Sequence, residues 1–161
     1  MTTIEPSAAT EAERELYLTG SCHAFALALH RRHGMAILVV GDADRPYWSD
    51  DADPDNAVPS VLHCYAVDGE GRAWDVLGVR PVSEIARELL ERHPDVETLD
   101  QDLLAGEAAM ALYVDGMGED GADRPLHALS EADIAEAMDC AARALAPIEH
   151  LIATPGPAAA P

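Results

Sequence analysis

Residues 20–40 read GSCHAFALALHRRHGMAILVV, and this stretch predicts a helix followed directly by a strand. The helix is expected over 22–33, because Gly34 is the residue type that most often ends a helix in the left-handed conformation. Residues 35–40 form a continuous apolar run of strand length, which is typical of a fully buried strand. A helix that begins at Cys22 is therefore expected to pack on a sheet.

The flanking sequence predicts further elements of both types. The segment 68–71 reads DGEG, a strong hairpin signal between two strands, and Ser130 followed three residues later by Asp133 is a helix N-cap pattern. The predicted helices cover 7–18, with Ser7 as N-cap, 83–92 and a final segment from Ser130; the predicted strands cover 35–40, 60–68, 72–78 and 109–114. Together they indicate an α+β fold: an antiparallel sheet of about four strands, helices packed on one side and the Cys22 helix placed centrally.

One domain is expected over residues 7–153, because 161 residues are enough to bury a single core. Residues 1–6 predict a flexible tail, and the Pro/Ala-rich residues 154–161 predict a disordered one. The acidic, proline-rich segment 41–59 predicts a long loop, and loops of that length in a compact domain are often functional.

The composition is strongly acidic: 30 Asp and Glu against 10 Lys and Arg give a formal net charge of −20. Such a surface repels nucleic acid and anionic membranes, both of which are bound through Lys and Arg. The three cysteines do not form a dense disulfide framework, and neither a signal peptide nor a membrane-spanning run is visible. We therefore expect a soluble cytoplasmic protein that binds neither nucleic acid nor membrane.

The predicted hairpin carries two side chains that could act together, His63 and Asp75. With a three-residue loop Asp68 faces Arg72, and His63 and Asp75 then project to the same face as diagonal neighbours. A two-residue loop would shift the register by one and place them on opposite faces. The hairpin register therefore decides whether the two side chains meet.

Cys22, His63 and Asp75 together indicate a cysteine nucleophile with its base and an orienting carboxylate. A thiol reacts as the thiolate, and a helix N-terminus beside an imidazole lowers its pKa. In this interpretation Cys22 attacks an acyl carbon, His63 takes its proton and later protonates the leaving group, and Asp75 holds the imidazole tautomer. The backbone N–H of Cys22 supplies one oxyanion donor, and Ser21 or Tyr17 is a candidate for the second.

The segment 17–78 resembles the core of the transglutaminase-like, papain-like cysteine superfamily. The likeness rests on GSCHAFALAL at 20–29 and on His63 and Asp75 further along the chain, a pattern similar to that of small bacterial proteins with Gly-x-Cys-His and His-x-Tyr motifs. The resemblance implies a nucleophile at the start of a helix packed on an antiparallel sheet. It also implies peptidase, amidase or deamidase chemistry on an amide- or thioester-bearing substrate such as a protein or peptide, with no cofactor.

The chain departs from the superfamily pattern at three places. Ser21 stands where an aromatic residue commonly precedes the nucleophile. Tyr65 stands two residues after His63, where Trp is usual, and is a candidate for lining the cleft. Residues 76–78 read VLG and lack the Pro- or Thr-bearing turn. These departures concern the oxyanion arrangement and the cleft.

Zinc binding is a second interpretation of the same residues. Cys22 with His23, and His63 with Cys64, are residue types that zinc accepts. Neighbours on a strand point to opposite faces, however, and neighbours on a helix diverge by about 100°. A site with one residue from each pair is incomplete, so no metal is predicted.

A third interpretation is not enzymatic: a catalytically inactive acidic binding or regulatory module on the same fold. The net charge and the acidic loop motivate it. A thiol of ordinary pKa and reactivity at Cys22 would favour it over the enzyme.

Overall fold

The computed structural model describes residues 5–47, 58–114 and 126–153. Within these ranges the chain forms an α+β fold, which confirms the predicted class. The helices are α1 Glu11–Thr19, α2 Cys22–His33, α3 Val82–Arg92 and α4 Glu131–Ala144, with short 3₁₀ helices at Glu107–Leu112 and Glu149–Leu151. The strands are β1 Glu5–Pro6, β2 Ala36–Tyr47, β3 Val58–Val67, β4 Arg72–Asp75, β5 Gly78–Pro81 and β6 Leu99–Leu104.

The sheet has six strands in the order β1-β5-β4-β3-β2-β6, and all neighbours are antiparallel. The expected number of about four was too low because β1, β5 and β6 were not predicted as strands, whereas one predicted strand, 109–114, is not a strand. The predicted strand 72–78 ends at Asp75, and β5 begins at Gly78 after a tight turn at Val76 and Leu77. β6 lies at the edge of the sheet and contains two aspartates. Charged residues on an edge strand prevent pairing with other chains, but they interrupt the alternation of apolar and polar residues by which a strand is recognised in sequence. The predicted strand 109–114 is instead largely the alanine-containing 3₁₀ helix.

Helices cover both faces of the sheet, so the expectation of helices on one side is wrong for α3. Alternate residues of a strand point to opposite faces. α2 and α4 pack over the face that carries Ala66 and Trp74. Ile85 and Leu89 of α3 pack against the other face, which carries Tyr65. Central strands that are covered on both sides become fully buried, as the apolar run in β2 predicts.

α2 lies centrally, between the sheet and α4. It begins at Cys22 and ends at His33 as predicted, and Gly34 follows with a φ of 69°, which only glycine adopts without steric cost. Phe25 and Leu29 are fully buried in the core, and each contributes about 1.5–3 kcal/mol by leaving water. This packing fixes the first turn of α2 next to β3.

The start of α1 differs from the prediction because a different residue caps it. The Thr10 hydroxyl accepts the N–H of Glu13 at 3.3 Å, and the Glu13 carboxylate accepts the N–H of Thr10 at 2.8 Å. This capping box satisfies two backbone donors at once. Ser7, the predicted cap, instead donates its hydroxyl to the carbonyl of Val76. Ser7 therefore ties the N-terminal segment to the β4–β5 turn.

Two segments predicted as irregular belong partly to the sheet. Glu5–Pro6 pairs with β5, so the end of the predicted tail 1–6 is a strand. β2 and β3 extend over 41–47 and 58–59, so both ends of the predicted loop 41–59 are strand. Residues 1–4, 48–57, 115–125 and 154–161, which include the predicted C-terminal tail and the centre of that loop, lie outside the described residues.

Candidate active site

The β3–β4 hairpin has the predicted three-residue loop. β3 and β4 pair at Ala66 with Trp74 and at Val67 with Ala73, which is the register that a loop of residues 69–71 requires. Its last residue, Gly71, has a φ of 76°, the left-handed conformation that ends this kind of loop. The register that places His63 and Asp75 on one face is therefore confirmed.

Asp68 holds the loop of this hairpin in place. Its Oδ1 accepts the N–H groups of Glu70 at 2.9 Å and Arg72 at 3.1 Å. Its Oδ2 accepts the indole N–H of the buried Trp74 at 2.8 Å. An Asp side chain that bonds to the backbone two residues on is a common device for fixing a turn. The loop chemistry that sets the register is thus local in sequence.

His63 and Asp75 meet in the interior, each about 2% exposed. The Nε2–H of His63 donates to Oδ2 of Asp75 at 3.2 Å, and Oδ1 of Asp75 accepts the N–H of Leu77 at 2.8 Å. The carboxylate therefore selects the tautomer in which Nε2 carries the proton. The other ring nitrogen, Nδ1, is buried and has no hydrogen-bond partner within the described residues. It is free to take a proton.

Cys22 is the first residue of α2 and is 3% exposed. Its N-cap, Ser21, makes no side-chain cap, whereas Thr10 caps α1 and Ser130 caps α4 through reciprocal bonds with the third helical residue. The first N–H groups of a helix have no acceptor within the helix, and their partial charge favours an anion. The start of α2 therefore offers donors that its cap does not use.

The pKa of Cys22 lies well below its ordinary value. The Cys64 thiol, which donates toward the Cys22 sulfur, is the largest cause; burial opposes it, and His23 and His63 add to the stabilisation of the thiolate. The same contact, together with burial, raises the pKa of Cys64 well above its ordinary value. Within this pair the negative charge belongs on Cys22, because Cys22 alone lies at the helix N-terminus and beside both imidazoles.

The neighbours of His63 favour its charged form. Burial disfavours the imidazolium, but the hydrogen bond to Asp75 and the interaction with Cys22 outweigh it and raise the pKa of His63 to about 9. Burial also opposes ionisation of Asp75, but His63 and Arg80 hold the pKa of that carboxyl below its usual 3.8. At neutral pH these directions favour a thiolate, an imidazolium and a carboxylate. Of the three, His63 and Asp75 form a hydrogen-bonded row, and Nδ1 of His63 has no hydrogen-bond partner among the described residues.

Two residues that the sequence analysis missed continue this row. Nη2 of Arg80, on β5, donates to Oδ2 of Asp75 at 2.7 Å, and Nη1 donates to Oε2 of Glu88, on α3, at 2.6 Å. Arg80 is 4% exposed. The sequence does contain an arginine five residues after Asp75. Its contact with Asp75 can be predicted only if the chain is recognised to turn at Val76 and Leu77, so that Arg80 lies on a neighbouring strand.

His23 also contacts Cys22, and this contact was not predicted. It is completely buried, and its Nε2–H donates to the carbonyl of His127 at 3.0 Å. Its ring packs edge-on against the His127 ring, 4.6 Å away. Nδ1 of His23 has no partner within the described residues. His23 therefore stands beside Cys22 as a fixed second imidazole.

The three residues proposed for the oxyanion hole or the cleft, Ser21, Tyr17 and Tyr65, do not all lie at one place in the structure. Ser21 and Tyr17 line one surface depression of about 200 Å³ beside the start of α2, together with the carboxylates of Asp133 and Glu136. Tyr65 lies on the opposite face of the sheet, with its ring centre 5.9 Å from that of His63. Burial and the charge of Asp75 raise the pKa of Tyr65, and its buried hydroxyl has no partner among the described residues. Tyr65 thus packs beside the base, away from the depression.

Metal binding has no geometric support in the part of the chain that the structure describes. There, no group of three His, Cys, Asp or Glu side chains converges on a point that could hold a metal ion. The four residues of the zinc interpretation do lie near one another. Cys64, His23 and His63 each lower the pKa of the Cys22 thiol.

Cys64→Ala tests the assignment of the charge to Cys22. The variant removes the largest cause of the low pKa, so we expect iodoacetamide to modify Cys22 at least about threefold more slowly at pH 6, since one pKa unit changes the thiolate fraction about tenfold. Peptide mass spectrometry after timed quenching measures the rate. Cys140→Ala is the matched control, because Cys140 lies on α4, where burial raises its pKa to about 11. An unchanged rate in Cys64→Ala would contradict the assignment.

Comparison with known proteins found no relative, so the proposed function below rests on the fold and the site alone. No protein-family model matches the chain, and neither a curated protein nor a solved structure matches it. Within the described ranges, none of the helices has the length and apolar character needed to cross a membrane. The class that the fold and the site together define is an α+β protein with a buried cysteine, histidine and aspartate.

Proposed function

We propose that this chain is a cysteine-nucleophile acyl-transfer enzyme of the transglutaminase-like type, in which Cys22, His63 and Asp75 form the catalytic triad. The observation that carries the proposal is the buried hydrogen bond from His63 to Asp75 beside a cysteine whose pKa is lowered. A lowered thiol pKa matched to a nearby base is the arrangement that nucleophilic cysteines require.

The first half-reaction uses all three side chains. The Cys22 thiolate attacks the carbonyl carbon of an amide or thioester, a C–S bond forms, and the carbonyl π electrons move to oxygen. When this intermediate collapses, the bond to the leaving group breaks, and the leaving amine or thiol takes a proton from the His63 imidazolium. Asp75 keeps the imidazole oriented through Nε2. The product is an acyl group on Cys22, and no cofactor takes part.

The second half-reaction returns the enzyme to its first state. Neutral His63 accepts a proton from water or an amine as that nucleophile attacks the acyl carbon. The C–S bond breaks and the thiolate leaves. Water gives hydrolysis, and an amine gives transfer.

Oxyanion stabilisation is assigned to the start of α2. The N–H of Cys22 is a donor that Ser21 leaves uncapped. Ser21 and Tyr17 are the candidates for the second donor, and both line the depression near the start of α2. This depression is the proposed approach for a peptide or protein substrate, and its carboxylates favour a cationic group next to the scissile bond. The proposed setting is the cytoplasm, where thiols stay reduced.

Acyl trapping tests the proposed function. We expect p-nitrophenyl acetate to place an acetyl group on the peptide that contains Cys22 when the reaction is quenched in acid within seconds. Cys22→Ala should lose both this adduct and the burst of nitrophenol, and Cys140→Ala should keep both. Acetylation spread evenly over the three cysteines, with no burst, would contradict the enzyme and favour the acidic binding module.

A further inference from the structure

A buried arginine joins the candidate triad to the surface of the molecule. Arg80 points from β5 into the face of the sheet that carries His63 and Asp75, and its side chain is 3% exposed. One arm of its guanidinium contacts Asp75 at 2.7 Å, and the other contacts Glu88 at 2.6 Å. The side chain of Glu88 is 30% exposed, so the row of charges ends at solvent on α3.

Besides balancing the charge of Asp75, Arg80 helps to fix the orientation of its carboxylate. Its Nη2 and the Nε2 of His63 donate to the same oxygen, Oδ2 of Asp75. Because Oδ1 accepts the N–H of Leu77, both oxygens of the carboxylate are held. The planar guanidinium fork fixes its two acceptors at a set separation and angle, which a lysine cannot do. The orientation of the carboxylate toward His63 therefore depends on Arg80.

We propose that Arg80 is a positioning residue of the site, and that Glu88 regulates, through Arg80, how strongly Asp75 acts on His63. This inference rests on the proposed function, because it assigns a role in preparing the same base. Arg80 touches neither the sulfur nor a substrate; it acts only through Asp75.

The direction of the effect follows from the signs of the charges. The Arg80 cation partly cancels the field of Asp75 at His63, and the Glu88 anion partly cancels the field of Arg80. Removing Glu88 therefore exposes the imidazolium to more positive charge and makes its proton easier to lose. The other titratable groups at His63 are Cys22 on α2, which interacts with the imidazole, Tyr65 on β3, whose ring centre lies 5.9 Å away, and Cys64, the neighbour of His63 along β3.

Glu88→Gln tests the proposal without removing a buried group. We expect the titration midpoint of His63, followed by the NMR signal of its Cε1 proton, to fall by about half a pH unit from the wild-type value near 9. The basic limb of the second-order rate of acetyl transfer to Cys22 should move by the same amount. A residue that only held α3 in place would change stability and leave both midpoints where they were.

Glu91→Gln is the matched control, because it removes the same charge from the same helix. Its carboxylate pairs only with Arg87 in the described structure, and both side chains are more than 60% exposed. Equal midpoints for Glu88→Gln, Glu91→Gln and wild type would overturn the proposal. Failure of the proposed function has a separate signature: wild-type Cys22 would react no faster than Cys140, while the His63 midpoint could still be read in all three proteins.

Discussion

Replacing His63 by alanine is expected to slow the alkylation of Cys22 by iodoacetamide at pH 6 about 10- to 100-fold. The imidazolium of His63 stabilises the thiolate in the buried site, and its pKa of about 9 keeps it charged well above neutral pH. Without it, Cys22 loses both a hydrogen bond and a nearby positive charge, so its pKa rises and the thiolate fraction at pH 6 falls, although Cys64 and His23 remain. The measurement is the rate of modification of the Cys22 peptide between pH 5 and pH 10.

A histidine on α2, the helix that begins at Cys22, provides the control for this variant. His33 lies at the far end of that helix, 3.6 Å from Glu149, and burial lowers its pKa. His33→Ala also replaces an imidazole by a methyl group, but far from the Cys22 sulfur, and should leave the rate at Cys22 unchanged. Equal rates for His63→Ala and wild type would show that His63 does not activate the thiol. Near-ultraviolet circular dichroism verifies that the two variants are folded.

Asp75→Ala is expected to destabilise the protein by about 3–5 kcal/mol at pH 7. Asp75 is completely inside the protein and accepts hydrogen bonds from His63, Arg80 and the backbone of Leu77. Its removal leaves a buried guanidinium with Glu88 as its remaining partner and an imidazole without an acceptor. Urea unfolding followed by tryptophan fluorescence measures the change. Glu91→Ala, which breaks an exposed pair, should change stability by less than about 1 kcal/mol.

The pH dependence of this contribution has a definite sign. The pKa of Asp75 is lower in the folded protein than its usual 3.8, so its contribution to stability is present above pH 3.8 and is lost as pH falls through the folded-state pKa. The difference in unfolding free energy between wild type and Asp75→Asn should therefore shrink below pH 3.8. A difference that stays constant down to acid unfolding would contradict an ionised Asp75.

The interaction between Cys22 and His63 has a different pH dependence. The pKa of His63 is raised, so its contribution is present below pH 6.5 and is lost as pH rises through about 9. The pKa of Cys22 is lowered, which gives a contribution with the opposite dependence. Between pH 6.5 and 9 the folded pair and the unfolded pair hold the same number of protons. The two slopes therefore cancel in this window.

The elements that the sequence predicted well are those that nearby residues decide. α2 ends at its glycine, α4 starts at the Ser130 capping box, and the β3–β4 register follows from the DGEG loop. In each case a few neighbouring residues satisfy the local backbone groups, and no distant contact is needed. The His63–Asp75 contact, across twelve residues and one turn, followed for one of the two registers that the sequence left open, and the structure has that register.

The errors have a common physical cause, which is packing between distant parts of the chain. Glu5–Pro6 becomes a strand only because β5 is there to pair with it. Ser7 looks like a cap but bonds to the β4–β5 turn. α3 packs on the second face because that face of the sheet is also apolar. None of these partners is near in sequence, so no local pattern predicts them.

The sequence specified the α+β class and the position of Cys22 at a helix start, and it limited the contact between His63 and Asp75 to one of two possible hairpin registers. These depend on helix stops, turn residues and strand alternation, all of which act over a few residues. In the tertiary structure, contacts between distant elements bring Cys64 to Cys22, where it affects the charge on the Cys22 sulfur, and bring Arg80 and Glu88 into a row that runs from Asp75 to the surface. Those contacts join different strands and helices, and burial makes their charges interact strongly once the chain has folded.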